Sequence, residues 1–218
     1  MKRLTRIANK YETDKGTVDG DKHGYTEFYQ EFLEKYEHPR ILELGVYHGG
    51  GTHMFNDFYD GDCDIWTIDW STEAMEYIND IENAKFIELD LNDVEGIKQV
   101  CERLNSDGVK FDIIIDDASH IWQHQMNAMY YFGKLLADGG IYIVEDIHYS
   151  RLFWDMDQSP LFFLTFMKPV CTLSEEQNNE LLDRIDEVYI FSRKNVATED
   201  MVKAYGGRSM TAILTFDR

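Results

Sequence analysis

Positive charge is what this chain of 218 residues lacks most: 21 lysines and arginines stand against 41 aspartates and glutamates, a net charge of −20. Phosphate backbones are gripped by clustered Lys and Arg, so no nucleic-acid partner is expected. An anionic membrane surface is excluded on the same ground. The acidity itself reads as a solvated surface. Cysteine is scarce too. Cys63, Cys101 and Cys171 sit at unrelated spacings, so neither a zinc pattern nor a disulfide framework is expected, and a reducing, cytoplasmic setting is the default. No run approaches the roughly 18 apolar residues of a membrane span. The start, MKRLTRIANKYETDK, is basic but has no apolar stretch of the signal-peptide kind. No internal repeat or interdomain linker is visible.

What is present is a set of short apolar runs that end in acids. FDIIIDDASH, Phe111 to His120, and IYIVED, Ile141 to Asp146, each begin as an Ile- and Val-rich run of strand length. Such runs suit strands buried on both faces of a parallel sheet. Between them Ile121 to Ala137 has helical length and closes on Asp138–Gly140. In an open α/β sheet, ligands bind beyond the carboxyl ends of the strands. Asp116, Asp117, His120, Glu145 and Asp146 therefore gather on one rim. Carboxylates crowded there would raise each other's pKa. A divalent cation relieves that repulsion, and hard oxygen donors suit Mg²⁺ or Ca²⁺ better than zinc. Asp116 is one step along the strand from Asp117, so it points away from the metal, toward the cofactor or a backbone donor.

The rest of the chain supplies the frame. Thr26 to Tyr36 has aromatics at helical spacing, a packing pattern. A first strand, Arg40–Leu44, runs into ELGVYHGGGTHMF, a glycine-rich turn and helix containing Glu43, Gly45, Tyr47, Gly49 and Thr52. Its spacing is not the G-x-G-x-x-G of dinucleotide binders, which disfavours a dehydrogenase. The second strand, Asp64–Ile68, ends at Asp69, twenty residues after Gly49. An acid at that tip and offset binds a ribose hydroxyl pair. Trp70 beside it either flanks a cofactor or packs in the core. Ser71–Ile81 reads as a helix capped by Ser71 or Thr72. A third strand, Lys85–Leu89, precedes Asp90, which either meets an adenine amino group or caps the helix at about Asp93–Leu104. Helices at Pro160–Val170 and Ser174–Arg184, the latter with a Ser174–Gln177 capping box, and strands at Glu187–Phe191 and Thr211–Phe216 complete a seven-strand count.

These segments fall in the order of a known family. ELGVYHGGG, TIDW, FIELDLND and FDIIIDD resemble the class I S-adenosylmethionine-dependent methyltransferases. More narrowly, TDKG, HGYTEFY, DDASHIWQHQ and GGIYIVEDIH resemble the macrocin- and mycinamicin-type sugar O-methyltransferases, and related enzymes of bacterial surface polysaccharide clusters. The resemblance covers roughly residues 11–150. It implies an α/β, Rossmann-like, mostly parallel seven-stranded sheet of order 3-2-1-4-5-7-6, with helices on both faces. It implies S-adenosylmethionine and Mg²⁺ as cofactors. Carried over, Asp117, Glu145 and Asp146 are metal ligands and His120 is the general base. Glu43, Gly45, Tyr47, Gly49 and Thr52 belong to the methionine and ribose side of the cofactor. Asp69 takes the ribose, Asp90 and Leu91 lie near the adenine, and Lys15, His23 and Tyr25 lie over the site, with Lys15 and Tyr25 among the cofactor contacts. The larger macrolide enzymes carry a long N-terminal domain with no counterpart here, and Ala118 stands where the family is expected to have glycine.

The expected unit is one methyltransferase domain over 1–218, with 1–38 as an N-terminal lid or helical segment and 39–218 as the core. The expected reaction is methyl transfer to a sugar hydroxyl chelated by the metal, with His120 as proton acceptor, since its ordinary pKa near 6.5 suits that task. The acceptor is a small molecule or saccharide, and a homo-oligomer is left open. Three alternatives stand beside it: His120 as a structural histidine, a catechol-like acceptor, and a non-catalytic S-adenosylmethionine-binding protein. His124 is taken as a packing residue, and His148 and Tyr149 either line the acceptor pocket or lie on a surface loop.

Overall fold

A computed structural model describes residues 1–17, 23–147, 158–194 and 208–216. The elements in chain order are α1 (Arg3–Lys10), α2 (Thr26–Leu33), β1 (Arg40–Leu44), α3 (Gly50–Phe58), β2 (Asp64–Asp69), a 3₁₀ turn (Thr72–Tyr77), β3 (Ala84–Glu88), α4 (Val94–Ser106), β4 (Phe111–Asp116), α5 (Trp122–Gly133), β5 (Leu136–Val144), α6 (Pro160–Phe166), α7 (Glu175–Arg184), β6 (Ile185–Lys194) and β7 (Arg208–Phe216). They form a seven-stranded sheet of order β3-β2-β1-β4-β5-β7-β6. The first five strands pair in parallel and β7 is antiparallel to both β5 and β6. This is the topology expected from the sequence. Among the described residues no helix is long and apolar enough to cross a membrane.

Strand residues alternate between faces, and the two cores divide accordingly. Ile41, Ile65, Ile113, Ile115, Ile143 and Ile213 pack with Leu4 of α1, Tyr29 and Leu33 of α2, Phe55 of α3, and Tyr25 just before α2. Leu42, Leu44, Ile114, Tyr142, Val144 and Leu214 pack with α4, α5, α6 and α7 through Ile97, Met126, Phe163 and Leu181. The central strands β1 and β4 and the end of β5 are covered on both sides, which is why they read as apolar runs. The same alternation sends Glu43 toward the first core and Asp116 toward the second.

Five local expectations are revised. The helix before β5 stops at Gly133, so Asp138–Gly140 lie inside β5 rather than at a helix end. There the pairing with β4 shifts register between Phe111 and Ile113, and Gly139 takes a φ of +76°. Ser71–Ile81 forms only the short 3₁₀ turn, although Ala74, Ile78 and Ile81 are buried together with Val46 at helical spacing. Ser71 does cap it, accepting from the Glu73 N–H. Asp93, not Asp90, caps α4 by accepting from the Gly96 N–H. The Ser174–Gln177 capping box forms in full. The helices at 26–36 and 160–170 end early, at Leu33 and Phe166.

Candidate active site

The carboxyl ends of β1, β2, β3 and β4 face a cleft of two adjoining cavities. One, of about 320 Å³, is lined by Tyr47, Asp69, Trp70, Tyr77, Asp90, Leu91 and Ser119, among others. The second, of about 610 Å³, is lined by residues 11–15 of the N-terminal segment, Glu43, Val46, Gly50, Gly51 and His120. Gly45, Tyr47, His48, Asp117 and Ala118 border both.

The first cavity is built on Asp69. Its Oδ2 accepts from the backbone N–H groups of Val46 (2.9 Å) and Tyr47 (3.3 Å), and its Oδ1 from that of Ser71 (3.0 Å). The acid therefore stitches the glycine turn to the tip of β2. Gly45 is required there: its φ is +90°, and a Cβ would strike the Asp117 carbonyl and lie 2.7 Å from Ala118 Cα. Ala118 itself has no left-handed backbone, so alanine is tolerated. Tyr47 and Trp70 are 79% and 73% exposed, which rules out a core role for Trp70 and leaves two aromatic faces at the rim. Gly49 and Thr52 do not line either cavity. Gly49 starts α3 in a left-handed conformation, and Thr52 donates to Glu43 Oε2 at 2.5 Å.

The second cavity meets a cluster of acids: Glu43 and Asp117 line it, while Glu145 and Asp146 are buried and line neither cavity. Asp117 N–H donates to the Leu44 carbonyl and Glu145 N–H to the Asp116 carbonyl, so the acids sit just past the ends of two paired strands. One ligand atom each from Asp117, His120 and Asp146 lies within 4.8 Å of the others. His120 Nε2 is 3.6 Å from Asp146 Oδ2. His120 and Asp146 both hold left-handed backbones, φ +56° and +55°. Non-glycine residues are seldom found there, and such strain clusters at functional sites.

Lys15 is the cation of this cluster. Its ammonium contacts Asp117 Oδ2 and lies 3.3 Å from Glu145 Oε2 and 4.0 Å from Asp14 Oδ1. Burial works against its charge, but Asp117, Glu145, Asp14 and Glu43 outweigh that and hold its pKa well above the ordinary value. Burial raises the Glu145 carboxyl well above the usual carboxylate range, reinforced by Asp117 and opposed by Lys15. Asp117 is raised by burial and held back by Lys15. Burial pushes Glu43 to about 7, against Lys15 and Thr52. Glu145 Oε1 is buried without a hydrogen-bond partner among the described residues.

The remaining expected residues separate. Asp116 faces the other core, accepts from Tyr142 Oη at 3.2 Å and lines neither cavity; burial lifts its pKa to about 6. Tyr25 is buried and lines neither cavity; its hydroxyl donates to Asp146 Oδ1 at 2.5 Å. His23 Nδ1 sits 3.5 Å from that same oxygen. His124 Nδ1 lies 2.8 Å from Ser119 Oγ. His148 and Tyr149 lie outside the described residues. Sequence reasoning missed Asp14, His48, Glu73, Tyr77 and Ser119 as lining residues. His48 follows Tyr47 in the glycine turn and was legible there; Tyr77 carried no signal.

No protein-family model matches the chain. Curated relatives and solved structures do. The mycinamicin VI 2''-O-methyltransferase of Micromonospora griseorubida is 27% identical over 153 residues, covering 66% of this chain and 36% of that one. The 8-demethyl-8-(2-methoxy-alpha-L-rhamnosyl)-tetracenomycin-C 3'-O-methyltransferase of Streptomyces olivaceus is 27% identical over 149 residues, with the same coverage of 66% and 36%. The MycE methyltransferase of the mycinamycin biosynthetic pathway, solved with Mg, SAH and mycinamycin VI, superposes with a TM-score of 0.69. It is 20% identical, covering 100% of this chain and 55% of that one. The chain has the methyltransferase fold. The chain is thus similar to mycinamicin-type O-methyltransferases both in sequence and in fold. The matched stretch of this methyltransferase-fold chain spans only 36% of the length of those curated relatives.

Proposed function

We propose that the chain is an S-adenosylmethionine-dependent, Mg²⁺-assisted O-methyltransferase acting on a sugar hydroxyl. The observation that carries this reading is the convergence of Asp117, His120 and Asp146 beside a cleft whose other end is organised by Asp69. The rhamnosyl acceptor named for one relative favours a sugar over a catechol-like acceptor, and the reading gives the chain an enzyme's role rather than that of a passive binder. It treats residues 1–218 as one catalytic domain under an N-terminal lid. Three free cysteines, two of them buried, fit a reducing cytoplasmic compartment.

The donor set fits a hard divalent ion. Carboxylate oxygens predominate, and the buried Glu145 Oε1 lacks a partner among the described residues. Asp117, Glu145 and Asp146 would hold the ion, which when bound would acidify and orient an acceptor hydroxyl. S-adenosylmethionine would supply an electrophilic methyl group. Asp69, Asp90, Leu91, Trp70 and Tyr47 would take its nucleoside, and Glu43, Gly45 and Lys15 face the cavity suited to its amino-acid end. His120, partly exposed at the cavity wall, accepts the acceptor's proton at Nε2, and Asp146 stabilises the imidazolium that results. Residues 11–15 wall the cavity from one side and limit the access of water.

The test is methyl transfer from radiolabelled S-adenosylmethionine to a panel of nucleotide-linked sugars and macrolide glycosides. His120→Ala should keep SAH binding and lose about 10²–10⁴-fold in turnover, and EDTA should abolish transfer. Full turnover by the variant removes His120 as the base; a rate indifferent to EDTA removes the metal.

A further inference from the structure

The two oxygens of Asp146 have different environments. Oδ1 accepts the Tyr25 hydroxyl at 2.5 Å and faces His23 Nδ1 at 3.5 Å, while Oδ2 faces His120 Nε2 at 3.6 Å on the side of the carboxylate and imidazole donors. Tyr25 itself has little freedom. It is 1% exposed, its ring stacks between those of His23 and Tyr29, and its oxygen lies 3.2 Å from the Met210 carbonyl. Thr26 next to it donates backbone and side-chain hydrogen bonds to the Lys15 carbonyl. The Asp146 backbone meanwhile holds a left-handed conformation that only a surrounding restraint maintains.

We propose that Tyr25 is a positioning residue: by holding Asp146 Oδ1 it fixes the carboxylate so that Oδ2 is presented for the divalent ion next to His120. The inference rests on the metal-assisted reading above. It differs from the expectation that Tyr25 touches the methyl donor, because Tyr25 acts through Asp146. Partners that orient a ligating carboxylate are typically worth 10–100-fold in metal affinity.

The experiment is calorimetric titration of Mn²⁺ alone into the full chain, wild type and Tyr25→Phe, with Tyr142→Phe as control. Tyr142→Phe also removes a buried hydroxyl from a carboxylate, but from Asp116, which faces the other core. Thermal melting in EDTA checks that each variant folds. Tyr25→Phe should bind Mn²⁺ about 10–100-fold more weakly, and Tyr142→Phe within about twofold of wild type. Equal affinity in Tyr25→Phe and wild type, or equal losses in both variants, overturns the inference and leaves the metal-assisted reading standing. A wild-type chain that takes up no Mn²⁺ overturns both. If Tyr25→Phe does not fold, His23→Gln removes the longer contact to the same oxygen; a smaller but measurable loss supports the inference, and unchanged affinity refutes it.

Discussion

Lys15→Met is the perturbation that the electrostatics of this chain specify most sharply. Lys15 is 3% exposed and bridges Asp117 and Glu145, whose side chains are 17% and 2% exposed. Removing one partner of a buried ion pair leaves uncompensated charge and costs about 3–5 kcal/mol. For a domain of this size each kcal/mol is worth about 2–4 °C, so the melting temperature should fall by roughly 6–20 °C near pH 8 in chelator. The pH dependence follows from the carboxylates. Asp117 and Glu145 have folded-state pKa values above their ordinary ones. The folded protein therefore holds more protons than the unfolded chain, and stability declines as pH rises from about 4 through the folded values. Lys15 opposes that rise, so its loss carries the penalty further into the neutral range. The Lys15 pKa is itself raised, so its charge is constant between pH 5 and 8 and adds no slope there. The gap between variant and wild type should thus be wide at pH 8 and narrow at pH 5, measured by urea midpoints at both. On the metal-assisted reading, Mn²⁺ should also recover more stability in the variant than in wild type. A variant that melts within about 2 °C of wild type at pH 8 refutes the assignment of Lys15 as the counter-ion of this cluster.

Gly45→Ala should destabilise by about 2 kcal/mol or more, since strain at positive φ adds to a clash with the Asp117 carbonyl; an unchanged urea midpoint contradicts the close approach of β1 and β4. Asp69→Ala removes the acceptor of three backbone N–H groups. It should weaken SAH binding at least tenfold in calorimetry, whereas Asp90→Ala, whose carboxylate accepts only from Asn92 N–H among the hydrogen bonds of the described residues, should disturb the loop less; equal effects would undo the distinction. Trp70, largely exposed at the cavity rim, should change its fluorescence on SAH binding, and a Trp70→Phe chain should lose that change.

The order of the sheet followed from the family resemblance, and the apolar runs of β1, β4 and the end of β5 were legible as strands, because a strand buried on both faces must be apolar throughout. The acids following β4 and β5 were legible as a cluster for the same reason: paired parallel strands end together, so Asp117 and Glu145 become neighbours whatever the loops do. Asp116 facing away from Asp117 was legible from alternation alone. Other features belonged to the tertiary structure. That Lys15 closes on Asp117 across 102 positions of sequence, and that Tyr25 selects one oxygen of Asp146, depended on how α1 and α2 pack against the sheet. The short 3₁₀ turn, the irregularity within β5 and the left-handed backbones of His120 and Asp146 were likewise set by tertiary contacts. Local pattern reports burial and period; which polar atom meets which is decided only when the packed cores bring distant segments together.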